Sequence, residues 1–188
     1  MSSDEPTFWT RSGPPNSEFQ YDSGHLHSTF CGLVGVFGLS LRVQEQCFSR
    51  IKLAMLATPA NHYFYPNLIA GLVVLRVVCP TGYGRFARSD GTAADLLEAI
   101  RNRHSGGAFL ADQVGTVLAC CLLCVNRGQK LDPALEQILK IAGDTNSKDH
   151  QKERAVKIAE MRQYMRSHER HANLQDVLSR IELGFQLT

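Results

Sequence analysis

The chain has 188 residues, 44% hydrophobic and 20% charged, and a formal net charge of +2. That is enough for one domain with a real core, or one domain with a small appendage, in the globular class. So small a charge argues against the basic stripe of a nucleic-acid binder. The most apolar stretch, Leu68 to Cys79, is broken by Arg76 and ended by Pro80, short of the roughly 18 uninterrupted apolar residues of a membrane span.

Residues 1–21 read as a flexible leader rich in Ser, Pro, Asn and Gly. Asp4, Glu5 and two adjacent prolines leave no apolar run for a secretory signal. Phe8, Trp9 and Phe19 are the exceptions, able to pin the leader to a neighbouring surface. A helix is expected over 25–37, closed by Gly38. Ser40 caps the next, Leu41 to Ala57, whose apolar residues Leu41, Cys47, Phe48, Ile51, Ala54 and Met55 recur at helical spacing. Thr58-Pro59-Ala60-Asn61 breaks it.

Pro66 suits the first turn of a third helix, apolar nearly all round and therefore central in the core. Pro80 closes that helix, and Tyr83 to Phe86 reads as a short turn. Thr92 caps a helix from Ala93 to about Arg103, with Asp95 in the capping-box position. After the Ser105-Gly106-Gly107 loop, Phe109 to Val125 reads as one buried helix. Asp132-Pro133 starts another, Ala134 to Ala142. Gly143 to Ser147 is a polar linker, and Lys148 to Arg166 is a charged helix with an apolar stripe of Val156, Ile158, Ala159 and Met165. Asn173 caps a last helix, Leu174 to Leu183, ended by Gly184. The expectation is an all-α, irregular bundle of about six to eight helices behind a flexible N-terminal tail. Residues 22–143 form its main helical domain, and 148–188 a charged C-terminal helical pair.

No motif for phosphoryl transfer is present. The sequence has no G-x-x-x-x-G-K-[ST] loop, whose glycines let backbone N–H groups cradle phosphates, and no apolar strand ending in an acidic pair to hold Mg²⁺. No catalytic dyad or nucleophile elbow can be named, so no catalytic residue and no cofactor is expected. Of the six cysteines, Cys120, Cys121 and Cys124 sit in one apolar run, Val117 to Val125. Cys121-x-x-Cys124 lacks a second ligand pair and the helix-opening position of a redox motif. It reads as buried, reduced thiols in a cytoplasmic protein, with a metal-dependent or redox protein as the alternative. His168-Glu169-Arg170-His171 has the wrong spacing for a zincin helix, and His25-Leu26-His27 forms no recognised metal-binding motif. No metal site is assigned. Basic residues from Lys148 to Arg170 alternate with Asp149, Glu153, Glu160 and Glu169, which suits a solvated face better than nucleic-acid binding, the second alternative.

One stretch forms a pattern. Phe37-Gly38-Leu39-Ser40-Leu41-Arg42 opens an amphipathic helix. Thr58-Pro59-Ala60-Asn61, Tyr65-Pro66 and the apolar helix follow, and Cys79-Pro80-Thr81-Gly82-Tyr83-Gly84-Arg85-Phe86 ends it. This resembles the C-terminal helical region of KAP-family P-loop NTPases, over roughly Asp22 to Ile100. The resemblance implies a lid-like helical domain without its upstream nucleotide-binding core. The chain is then no ATPase by itself, but a non-catalytic module working through protein–protein contacts, with an NTPase core chain or a second copy as partner. It also implies a bacterial setting in signalling or phage defence. The family's membrane helices have no counterpart here, so no membrane insertion is expected. Arg42 matches a sensor arginine facing nucleotide phosphates, a role that a permanently charged, bidentate guanidinium can fill. It can act so only if another chain brings the nucleotide.

Overall fold

The computed structural model describes residues 18–58, 65–125, 132–144, 149–167 and 173–186. Ten helices and no strand occur among these residues: α1 Glu18–Phe37, α2 Leu41–Leu56, α3 Pro66–Val78, α4 Pro80–Ala87, α5 Ala93–Arg101, α6 Gly106–Ala111, α7 Gln113–Cys124, α8 Pro133–Gly143, α9 Asp149–Ser167 and α10 Leu174–Gln186. The fold is all-α, as expected.

The helices number ten rather than six to eight, and two of the extra ones have local causes. Pro80 ends α3 and is also the first residue of α4, where its missing N–H costs nothing. The segment read as a turn is thus a helix, burying Tyr83 and Phe86 on one side. Phe109 to Val125 is not continuous either. Asp112 adopts an extended conformation, ends α6, and accepts the Gly115 amide at 2.7 Å to cap α7. A Cβ on Gly115 would run into the Phe109 carbonyl, so the two short helices fold back closely only because this position has no side chain. At the N-terminus, α1 already covers 18–21 of the expected leader. Phe8 and Trp9 lie outside the described residues.

Other local signals act as read. Gly38 has φ +61°, and Leu39 N–H donates to the Val34 carbonyl at 3.2 Å, closing α1 through a left-handed cap. Thr92 and Asp95 exchange both capping-box hydrogen bonds on α5, at 2.8 and 3.2 Å. Asn173 accepts the Asp176 amide at 2.8 Å. Ser40 holds the N-cap position of α2 but forms no side-chain cap bond. Gly184 does not end α10. It lies inside that helix, buried, where a Cβ would come within 3.1 Å of the Arg50 carbonyl oxygen on α2.

The hub is α3. Every residue from Pro66 to Leu75 is buried, as its all-round apolar sequence predicts. On one side it packs against α1, α2 and α10, on another against α7, and it turns directly into α4. The second group, α5 to α9, builds outward from α7. α10 packs on α2, α3 and α4, whereas α9 packs on α7 and α8. The two C-terminal helices are therefore held by different parts of the core. No described helix is long and apolar enough to cross a membrane.

Candidate interaction surface

α2 buries only part of its apolar complement. Cys47, Ile51 and Ala54 face the core, but Leu41 is 70% exposed, Phe48 50% and Leu56 57%. Three of the five large exposed hydrophobic side chains among the described residues thus lie on one helix. The periodicity that placed Leu41 and Phe48 on the core face fails here, because the face they share with Leu56 is left uncovered.

Leu41, Glu45, Phe48, Lys52 and Leu56 recur at intervals of four, three, four and four residues, so they form one stripe along the helix. It is about 22 Å long at the helical rise of 1.5 Å per residue. Glu45 and Lys52 are exposed between the apolar side chains. The Phe48 ring leans on Phe30 of α1, centroids 6.2 Å apart at 58°, a tilted contact that fixes one side of the ring and leaves the rest open.

Arg42 is exposed at the edge of this stripe, in the first turn of α2. It forms no ion pair among the described residues.

Behind the stripe, α2 is held rigidly. The Phe185 ring on α10 lies between two guanidinium groups, Arg50 of α2 at 4.0 Å and Arg76 of α3 at 4.9 Å. Arg76 also makes a forked pair with Glu182, at 3.0 and 3.4 Å, and the Tyr83 hydroxyl donates to the same carboxylate at 3.0 Å. The bond to Glu182 raises the Arg76 pKa further. Burial, with the adjacent Glu182 charge, drives the Tyr83 phenol well above its ordinary value, so it remains a donor. This cluster joins α3, α4 and α10, and sequence spacing did not connect its members: Arg76 and Glu182 are 106 residues apart.

The three α7 cysteines do not build a reactive centre. Cys120 and Cys121 are buried on α7, and the Cys124 thiol is directed at the Ile158 carbonyl of α9, 3.7 Å away. Burial pushes Cys124 up to about 12 and Cys121 higher still, with neighbouring thiols adding to both. Cys121 and Cys124 are thus neutral thiols at physiological pH and poor nucleophiles. No group of three or more His, Cys, Asp or Glu able to hold a metal ion occurs among the described residues. His168 and His171 lie outside them. On α9, Lys157 pairs with Glu153 one turn away at 3.0 Å, the pairing expected of a solvated face.

A cavity of about 550 Å³ lies between α5, α7, α8 and α9, walled by Leu97, Leu123, Ile138, Ile141 and Ile158 among others. Its polar groups are already engaged. Asp95 accepts the Thr92 amide, and Glu98 pairs with Arg101 at 2.5 Å.

No protein-family model matches the chain, and no curated protein or solved structure matches it.

Proposed function

We propose that this chain is a non-catalytic helical module, related to the C-terminal helical region of KAP-type P-loop NTPases, that works by docking to another polypeptide. The observation that carries this reading is the uncovered apolar stripe Leu41–Phe48–Leu56 on a helix whose opposite side is fixed to the core. Keeping three large apolar side chains in water costs free energy, on the order of 1.5–3 kcal/mol each against full burial. A row of large exposed apolar side chains along one helix face suits a contact surface. The family relationship rests on the motif order from Phe37 to Phe86, and a bacterial signalling or defence role follows from that relationship alone.

Two properties of the site favour docking over catalysis. Its side chains are apolar or of mixed charge, with no nucleophile–base pair. Arg42 stands alone at the edge of the stripe, so any contact with a nucleotide phosphate requires a second chain to present it. The test is a steady-state ATP hydrolysis assay on the purified chain with Mg²⁺, in parallel with the Arg42→Ala variant. The expected result is no turnover above buffer for either. Turnover by the wild type that disappears in the variant would refute a non-catalytic role.

A further inference from the structure

The α2 stripe has an internal symmetry that names its occupant. The positions Leu41, Glu45, Phe48, Lys52 and Leu56 read almost the same in both directions in chemical type: apolar, charged, apolar, charged, apolar. The two charges are opposite in sign and equally spaced from the middle of the helix. A second α2 laid antiparallel, with the two-fold axis between residues 48 and 49, brings Leu41 against Leu56 of the second copy. It brings Glu45 against Lys52 of the second copy, and the two Phe48 rings together at the centre. The reciprocal contacts repeat across the axis, as an isologous interface requires. A parallel arrangement would oppose Glu45 to Glu45 and Lys52 to Lys52. We infer that this face pairs two copies of the chain through antiparallel α2 helices. This inference rests on the docking reading and supplies its partner.

The chemistry of the contact follows from its composition. The four leucines and two phenylalanines supply the apolar area. The two Glu–Lys pairs lie within the seam, between the leucines and Phe48, and set direction and register more than strength. Phe48 is the central anchor, already half-ordered by Phe30, so little side-chain entropy remains to be lost on association. Arg42 of each copy ends at the outer edge of the pair, beside Met55 of the second copy, which leaves both guanidinium groups outside the seam.

The test is sedimentation equilibrium on the full chain, with four variants. The wild type is expected at twice the 20.9 kDa chain mass, and Phe48→Glu as a monomer with unchanged helicity. Glu45→Lys alone and Lys52→Glu alone each place two like-charge pairs in the interface and weaken dimerisation roughly tenfold. The Glu45→Lys/Lys52→Glu double variant restores affinity to within about threefold. An equimolar mixture of the two single variants forms a mixed dimer, because each supplies the charge the other lacks. A dimer in which the double variant is no better than the singles overturns the antiparallel register. A monomer at all concentrations overturns the pairing altogether. In that case bis-ANS fluorescence separates the two failures. Dye binding by the wild type that Phe48→Glu abolishes leaves a docking face for a different protein. No dye binding removes the docking reading as well. Hydrogen exchange identifies an intramolecular occupant, which would protect α2 in the monomer independently of concentration.

Discussion

Asp132 is buried, and its two carboxylate oxygens serve two helices. One accepts the Ala134 amide at 3.0 Å and caps α8, and the other accepts the Ala93 amide at 2.8 Å at the start of α5. Replacing it with Ala removes both bonds and leaves the Ala93 N–H buried without an acceptor. A bond from a charged acceptor to a backbone N–H contributes about 1.5–3 kcal/mol, and an ordinary N-cap about 1 kcal/mol. Asp132→Ala should therefore cost about 3 kcal/mol, a fall of about 1.5 M in the urea midpoint at a typical slope of about 2 kcal/mol per M. Asn173→Ala, which removes one exposed cap bond on α10, should cost about 1 kcal/mol. Asp132→Asn keeps one acceptor oxygen and turns the other into a donor, so it should fall between. The assay is equilibrium urea unfolding of the three variants, with hydrogen exchange read at residues 93–95 and 134–136. Loss of protection at both sites, when Ala93 lies 39 residues from Asp132 in sequence, is the signature of a shared carboxylate. If Asp132→Ala costs no more than Asn173→Ala, or only the α8 amides lose protection, the bridging role is refuted.

Three other outcomes are expected. Gly115→Ala should destabilise by more than 2 kcal/mol, because its Cβ meets backbone rather than a flexible side chain and Phe109 must move; a thermal-unfolding midpoint within 2 °C of wild type would contradict this. Thr29 Oγ1 is buried with no hydrogen-bond partner among the described residues, so the near-isosteric Thr29→Val should raise stability by about 1 kcal/mol, read by the same urea titration. For Cys121 and Cys124, whose folded pKa values are raised, the native state holds its protons more tightly than the unfolded chain. Their contribution is complete below about pH 8.5 and is lost as pH rises towards about 12. Unfolding free energy should accordingly decline above pH 9, less steeply in Cys121→Ala/Cys124→Ala, and maleimide at pH 7 should label exposed Cys31 while sparing both until urea is added.

The parts of this fold written locally were legible in the sequence. A cap is a contact between residues two or three apart, so Asn173, Asp132 before Pro133, and Thr92 with Asp95 announce helix starts whatever surrounds them. The all-round apolar run of α3 likewise requires a central position, because no face of it can be left in water. What the sequence could not decide was which partner each surface finds. Gly184 looks like a helix stop, but the backbone of Arg50 needs that space. Asp132 looks like a cap for one helix and caps two, because α5 arrives beside it. Periodicity assigned Leu41 and Phe48 to the core, yet burial depends on what packs opposite, and α10 and α3 cover only the Cys47–Ile51–Ala54 side. The candidate site exists because of that difference. Local chemistry fixed the helix and its apolar residues, and the tertiary arrangement left part of them facing water.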